Sequence, residues 1–159
     1  MTNNDVLRSL RYILNVSDKK LTEIAELADC QVSESDIVSY QKKEDEEGYK
    51  ECSHEVMAHF LNGLILFKRG RAEGKPLQPI EIPITNNIVL KKIRVAFEMK
   101  DSDILSIIEK CELDVSKREF SAFFRKVGHR NYRECGDQFL RNLLRGMSGK
   151  GTGTGGSTI

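Results

Sequence analysis

The sequence has no tryptophan and only three prolines, which all fall between residues 76 and 83. It contains no apolar run near the ~20 residues that a membrane-spanning helix needs. Its N-terminus, MTNNDVLRSLRYIL, lacks the basic stretch and continuous apolar core of a secretory signal. These absences predict a protein that neither spans a membrane nor carries a secretory leader.

Cysteine is also scarce. The four cysteines, Cys30, Cys52, Cys111 and Cys135, include no C-x-x-C pair. Their density is far below that of a disulfide-stabilised scaffold. We therefore expect free thiols and a cytoplasmic location.

A large excess of one charge is missing as well. Charged residues make up 31% of the chain and hydrophobic residues 39%, with a formal net charge of +1. This balance is typical of a soluble globular protein rather than a disordered one. The net charge alone predicts no general attraction to nucleic acid or to a membrane surface.

What the sequence does contain is a repeat of itself. When it is shifted by 83 residues, residues 3–63 align with residues 86–146 without a gap, and 16 of the 61 aligned positions are identical. A gap-free match of this length indicates an internal duplication.

Each copy is predicted to form four short helices. In the first copy, Val6, Leu7, Leu10, Ile13 and Leu14 recur at helical spacing, which defines one apolar helix face. A single unit of about 60 residues would be only marginally stable. The predicted fold is therefore all-α, with two homologous four-helix repeats related by a pseudo-twofold axis and packed through their apolar fourth helices.

The prolines and the composition place the domain boundaries. Residues 1–70 are predicted to form the first helical repeat and residues 86–147 the second. The Pro-rich linker between them, residues 71–85, cannot be helical throughout. The Gly- and Thr-rich tail, residues 148–159, is low in complexity and is predicted to be disordered.

Four segments of the chain carry a family resemblance: NNIVLKKIRVAF, KEDEEGY, FLNGLI with the KRG that follows it, and NYRECGDQFLRN. Together they resemble the YehS-like family of small bacterial proteins, which are built from a duplicated domain of unknown function. The resemblance extends from Asn3 to Gly146. It implies a bacterial cytoplasmic protein, and it implies no activity, substrate or catalytic residue.

Many polar residues that both copies keep have a structural explanation. Asn4, Asp18 and Ser33, each with its partner 83 residues further on, stand where helix starts need capping side chains. Gly63 lies inside a helix, where glycine costs roughly 1 kcal/mol relative to alanine, so we expect a close helix contact there and at its partner Gly146. Cys52 and its partner are expected to be small buried residues.

Four further pairs kept in both copies are candidates for a site: Arg11/Arg94, Lys43/Lys126, Tyr49/Tyr132 and Glu51/Glu134. One interpretation is an internal clamp in which Arg11 pairs with Glu26 or Glu51. The other is a polar pocket, one per copy, that binds an anionic small molecule or peptide, because the arginine fork suits a carboxylate or a phosphate.

Nucleic acid is the alternative partner. Residues 1–70 hold nine basic and 13 acidic residues, a net −4, whereas residues 84–147 hold 13 basic and nine acidic, a net +4. The candidate nucleic-acid surface consists of Lys117, Arg118, Arg125, Lys126, Arg130 and Arg133. Phe123, Phe124 and Tyr132 lie among them, and basic residues with aromatic rings bind single strands by stacking. Phe120 and Phe123, however, are expected to belong to the core.

The second and third helices of each copy resemble a helix-turn-helix. Their connection is longer than the usual tight turn and has no glycine. The third helix of the first copy is also acidic, which phosphates would repel. Any nucleic-acid surface is therefore expected on the second copy.

The loops before the fourth helices carry opposite charge. Glu44–Glu47 is acidic, and the aligned residues 127–130 are not. Because complementary charge registers an interface, the acidic loop of one chain is predicted to meet the basic residues His129–Arg133 of another chain, giving a homodimer, or those of its own second copy.

Catalytic and metal motifs are missing. We find no G-x-S-x-G, no H-E-x-x-H and no phosphate-binding glycine loop after a strand. His129 and Cys135 fit a dyad in the second copy alone, since Glu46 takes the place of His129 in the first. Neither zinc spacing nor a calcium-loop pattern appears. We expect no enzymatic activity, no cofactor and no metal.

The sequence thus favours a non-enzymatic binding or interaction module of the bacterial cytoplasm. Its partner is expected to be a protein or a small anionic ligand, and not a membrane. The alternative is a nucleic-acid-binding regulator that uses the basic second repeat.

Overall fold

The computed structural model describes residues 1–149, and within that range every element of regular secondary structure is a helix. The prediction of an all-α protein is confirmed. The helices of the first repeat are α1 (Asn3–Leu14), α2 (Asp18–Leu27), α3 (Glu34–Gln41) and α4 (His54–Arg69). Those of the second repeat are α5 (Asn86–Ala96), α6 (Asp101–Lys110), α7 (Lys117–Ala122) and α8 (Asp137–Met147).

The two repeats have the same backbone plan. Each helix of the second repeat begins 83 residues after its counterpart in the first, the same offset that aligns the sequences. Even left-handed positions coincide, since Asn15 and Glu98 have φ of 53° and 51°. The two four-helix repeats predicted from the sequence are thus confirmed.

Six of the eight helices among residues 1–149 begin after a serine or threonine whose side chain caps them. Ser33 and Ser116 accept hydrogen bonds from backbone N–H groups three residues further on, as predicted. Asn4 and Asp18, however, lie inside α1 and α2, whose caps are Thr2 and Ser17. The predicted capping role of these two residues, and of their partners, is wrong.

The repeats do not pack chiefly through their fourth helices. The contacts between them join α4 to α5 and α8 to α1, so each fourth helix lies on the first helix of the other repeat. This reciprocal exchange obeys the pseudo-twofold relation and builds one hydrophobic core from both repeats. The expectation that the repeats pack chiefly through α4 and α8 is therefore wrong.

Close packing inside each repeat depends on one glycine. A Cβ at Gly63 would lie 2.1 Å from the backbone oxygen of Ile24, so α4 approaches α2 at a distance that only glycine permits. At the counterpart Gly146, the nearest atom is a side-chain methyl, Cγ2 of Ile107, at 2.2 Å. The close helix approach predicted for both glycines is therefore present.

The linker and the tail complete the chain. Between Gly70 and Thr85 there is neither helix nor strand. Most of the predicted disordered tail, residues 150–159, lies outside the described residues; Ser148 caps α8 and Gly149 follows it.

Candidate functional site

A buried asparagine positions the loop before the fourth helix in each repeat. Asn4 Nδ2 donates to the carbonyl oxygens of Tyr40 (3.2 Å) and Lys50 (2.8 Å), and its Oδ1 accepts from the N–H of Cys52 (3.0 Å). All three hydrogen bonds recur at Asn87, to Phe123, Arg133 and Cys135, at 2.8 to 3.0 Å. Both ends of each loop are therefore fixed to the first helix of its repeat.

The loops also share internal backbone hydrogen bonds. The N–H of Tyr49 donates to the Glu46 carbonyl, as that of Tyr132 does to His129, at 3.2 and 2.9 Å. Two loops of different sequence thus follow one path. What differs between them is the set of side chains that this path presents.

In the second repeat, the loop and α7 enclose a groove with a cavity of about 770 Å³. Four arginines line it together with Tyr132: Arg118, Arg125, Arg130 and Arg133. We call this surface the arginine groove. Its only acidic lining residue is Glu119, so the groove has a strongly positive potential.

Most of this positive charge is not neutralised by the protein. Arg133 forms an ion pair with Glu119, with Nη1 and Oε2 3.4 Å apart. Within residues 1–149, the guanidinium groups of Arg118, Arg125 and Arg130 have neither a hydrogen bond nor an ion pair. These three groups are available to an anion.

The matching surface of the first repeat is internally paired. Lys42, the counterpart of Arg125, donates to the carbonyl oxygen of Glu47 at 2.9 Å. Lys50, the counterpart of Arg133, forms an ion pair with Asp36 at 2.7 Å. The first repeat therefore keeps the loop but not the excess of positive charge.

Aromatic rings contribute less to the groove than the sequence indicates. Phe123 is buried in the core, at 6% exposure, and Phe124 lies beneath Arg94, whose guanidinium carbon is 4.6 Å from the ring centroid. Tyr132 remains half-buried at the groove, where burial and then the Glu134 carboxylate raise the pKa of its phenol. The groove thus offers one neutral aromatic ring for stacking.

Arg11 and Arg94 each form an ion pair within their own repeat. Arg11 pairs with Asp18 (Nε to Oδ1, 3.0 Å), and Arg94 pairs with Asp101 (Nη2 to Oδ1, 2.8 Å). The predicted pairing of Arg11 with Glu26 or Glu51 is therefore wrong. Each arginine instead joins the first helix of its repeat to the start of the second.

The other kept residues do not converge on Arg11 or Arg94. Within the described chain, no hydrogen bond or ion pair joins either arginine to the kept tyrosine or glutamate of its repeat. Tyr132 alone of the eight candidate residues lines the arginine groove. Of the six in the candidate nucleic-acid surface, Lys117 and Lys126 lie outside it.

The thiols of Cys52 and Cys135 and the imidazole of His129 are not arranged for nucleophilic catalysis. Burial raises the pKa of both Cys52 and Cys135 to about 12, so both thiols stay protonated at neutral pH. Cys135 Sγ donates to the Gly136 carbonyl at 3.7 Å, and His129 Nδ1 accepts from the Asn131 N–H at 3.0 Å. Each group is therefore engaged with the backbone rather than with the other.

Residues 1–149 contain no cluster of three or more His, Cys, Asp or Glu side chains suited to hold a metal ion. Over the same range, no helix has the length and apolar character to cross a membrane.

A second cleft was not expected from the sequence. It lies between α1 and α8, where the repeats meet, and has a cavity of about 470 Å³. Arg8, Arg141 and Arg145 line it, and neither α8 arginine has a counterpart of the same charge in the first repeat. Comparison of the two copies does not identify such positions, because the aligned residues differ. The feature of the sequence that indicates them is the pair of arginines one helical turn apart on α8.

Comparisons with known proteins agree with the duplicated plan. Residues 3–70 and 86–152 each match the model of the family described as Protein of unknown function (DUF1456). The chain is 46% identical over 150 residues to Uncharacterized protein YehS of Escherichia coli (strain K12), an alignment that covers 94% of this chain and 96% of that protein. No solved structure matches the chain.

Proposed function

Since the chain belongs to the family described as Protein of unknown function (DUF1456), whose description names no ligand, we propose its function from the arginine groove. The protein is a non-enzymatic binding module, and the groove holds the phosphate or carboxylate groups of an anionic partner. The bacterial cytoplasm stays the predicted setting.

The observation that carries this proposal is the contrast between the two matching loops. In the second repeat, Arg118, Arg125 and Arg130 line one cavity without a partner among residues 1–149. In the first repeat, the same positions hold Ser35, Lys42 and Glu47, and the last two bind each other. A guanidinium binds phosphate or carboxylate through two parallel hydrogen bonds, so the divergence has created an anion site on a constant scaffold.

Single-stranded nucleic acid is the second candidate partner. Tyr132 lines the groove beside Arg133, and an aromatic ring between arginines is the arrangement that stacks a base while phosphates are neutralised. Against it stand the burial of Phe123 and the packing of Phe124 against Arg94, which leave Tyr132 as the one ring of the three for stacking.

A second copy of the chain is a further anionic partner to be tested. The exposed acidic loop Glu44–Glu47 carries a negative charge that is complementary to the positive charge of the arginine groove. A complex of this kind weakens as salt screens the charges. Sedimentation velocity at low and high ionic strength measures it, and a protein that is monomeric at low ionic strength rules it out.

The proposal is tested by fluorescence anisotropy with labelled probes at low ionic strength. The probes are a mixed-sequence single-stranded RNA and a glutamate-rich peptide, with inorganic phosphate as an unlabelled competitor. The variant Arg118→Gln/Arg125→Gln/Arg130→Gln removes the three unpaired guanidinium groups. We expect it to bind the preferred probe at least about tenfold more weakly, because each charge-assisted hydrogen bond contributes about 1.5–3 kcal/mol.

The matched control removes the same charge elsewhere. Lys19, Lys91 and Lys110 are exposed, and Lys19→Gln/Lys91→Gln/Lys110→Gln should bind within about twofold of the wild type, since remote charges are screened. Tight RNA binding with a steep salt dependence selects the nucleic-acid candidate. If the wild type binds none of the probes, or if the two triple variants bind equally well, the arginine groove is not the binding site.

A further inference from the structure

The cleft between α1 and α8 lies at a different place from the arginine groove. Its floor includes the buried Leu144, and its walls include Tyr12 from α1 and the two exposed arginines of α8, Arg141 and Arg145. Met1 closes one end, where its α-amino nitrogen lies 2.7 Å from Oδ2 of Asp137. The cleft therefore belongs to the junction of the repeats, not to either repeat alone.

The pseudo-twofold relation gives this cleft a counterpart, the crossing of α4 and α5. The linker between the repeats lies across the crossing of α4 and α5. Asn62 Nδ2 on α4 donates to the carbonyl oxygen of Gln78 at 3.3 Å, and the same amide accepts from Nζ of Lys92 on α5 at 2.8 Å. The linker is thus an irregular, proline-containing peptide bound across a junction of the two repeats.

The end of the linker matches the N-terminus in detail. The N–H of Ile84 donates to Nδ1 of His54 at 3.0 Å. Met1 is the counterpart of Ile84, and Asp137 is the counterpart of His54, so the contact at Met1 repeats the contact at the linker end. The two junctions therefore offer a peptide the same path.

The walls of the two junctions differ in polarity. The buried floor is kept, with Leu144 in the place of Leu61, but Arg141 and Arg145 stand where the linker-covered junction has Ala58 and Asn62. At the linker-covered junction the Asn62 amide donates to the linker backbone. Arg145, at the same position of the second repeat, has instead a charged group with five donors. An occupant of the α1–α8 cleft should therefore be more acidic than the linker.

The cleft has hydrogen-bond donors to spare. Arg8 uses one atom, Nη2, to bind Asp5 Oδ1 at 2.9 Å, while its Nη1 is buried and has no hydrogen-bond partner. Arg141 and Arg145 have no ion pair or side-chain hydrogen bond within residues 1–149. The exposed guanidinium groups of Arg141 and Arg145 can therefore each bind a carboxylate of a ligand through two parallel hydrogen bonds.

We propose that the cleft between α1 and α8 binds an acidic, extended segment of a partner protein, which crosses the two helices as the linker crosses α4 and α5. Carboxylates of the segment bind Arg141 and Arg145. Main-chain contacts give affinity and the arginines give specificity for acidic residues.

The linker itself supplies the probe. A fluorescent peptide with the sequence of residues 76–83, in which glutamate replaces the glutamine of position 78, carries two carboxylates. Its neutral control keeps that glutamine and has glutamine in place of the glutamate of position 81. Measured by anisotropy on the full chain at low ionic strength, the acidic peptide should bind at least about tenfold more tightly than the neutral one.

Two matched variants identify the cleft as the binding site. Arg141→Gln/Arg145→Gln should weaken binding of the acidic peptide at least about tenfold, whereas Lys19→Gln/Lys91→Gln, which removes the same charge from exposed positions outside the cleft and the arginine groove, should leave it within about twofold. Both pairs are exposed, so circular dichroism and the urea midpoint should match the wild type.

Three results overturn the proposal: neither peptide binds the wild type, the two double variants lose binding equally, or inorganic phosphate displaces the acidic peptide as effectively as unlabelled peptide does. The last result identifies a site for small anions instead. Because neither double variant changes Arg118, Arg125 or Arg130, failure here leaves the test of the arginine groove intact.

Discussion

The two repeats hold the same loop in the same way and use it differently. In the first repeat, Lys42 and Lys50 are bound to groups of their own loop and of α3. In the second, three arginines of the matching surface are left without partners among the described residues. Backbone hydrogen bonds thus fix the path of the loop, and the side chains that project from it can change without disturbing that path.

The helix crossings show a second difference under a common plan. Gly63 faces a backbone oxygen of α2, whereas Gly146 faces a side-chain methyl of α6. The backbone oxygen can move only with its helix, whereas the isoleucine side chain can shift while its helix stays in place. The same residue is therefore required more strictly in the first repeat than in the second.

The largest loss of stability is expected at Asn4 and Asn87, which make the same hydrogen bonds in the two repeats. Asn4→Ala and Asn87→Ala each remove three hydrogen bonds and leave a buried cysteine N–H without an acceptor. Each should lower the free energy of unfolding by about 3 kcal/mol, measured by urea denaturation. The matched control is Asn3→Ala, which removes a partly buried hydrogen bond to the Cys52 carbonyl and an exposed one to His54 Nδ1, and should cost about 1 kcal/mol. A small loss at Asn87 alone would show that the second loop is not anchored as the first is.

An intermediate effect should separate the two glycines. Gly63→Ala should lower the free energy of unfolding by about 2 kcal/mol, because α2 and α4 must move apart, and Gly146→Ala by about 1 kcal/mol. Introducing Ile107→Ala first removes the methyl that an alanine at position 146 would meet, so Gly146→Ala should then cost nothing further. Equal costs at the two glycines in the wild-type background would contradict the distinction between backbone and side-chain contact.

The smallest effect is expected at Gln41, whose counterpart in the second repeat is Phe124. Phe124 lies under Arg94, but its counterpart Gln41 has a buried amide without a hydrogen-bond partner. Gln41→Phe should raise the free energy of unfolding by about 1 kcal/mol, because it removes the unsatisfied amide and gives Arg11 an aromatic face. In the Arg11→Ala background the gain should be smaller. A destabilised Gln41→Phe variant would mean that the first repeat has no room for the ring.

Local and periodic features of the fold were predictable from the sequence. The 83-residue repeat, the apolar helix faces, the serine caps and the burial of Cys52 and Cys135 all follow from spacing and residue type. Asn4 was misassigned because an asparagine near a helix start suits a cap. Its hydrogen bonds instead reach 36 to 48 residues along the chain, which no local rule detects.

The candidate sites were predictable only in part. Charge counting found the basic surface of the second repeat, but it did not distinguish Arg118, which lines the groove, from Lys117, which does not. That distinction depends on how α7 is oriented against the loop. The α1–α8 cleft joins residues more than a hundred positions apart, and its arginines differ between the copies, so self-comparison discards them.

The anchoring of the loops by Asn4 and Asn87 has a consequence for protein engineering. A loop whose two ends are tied to a helix by one buried side chain tolerates a foreign sequence between those ends. Residues 44–47 and 127–130 are exposed and lie between fixed points. The molecule therefore carries two independent display positions on one scaffold, and a library placed in one would leave the other as an internal reference.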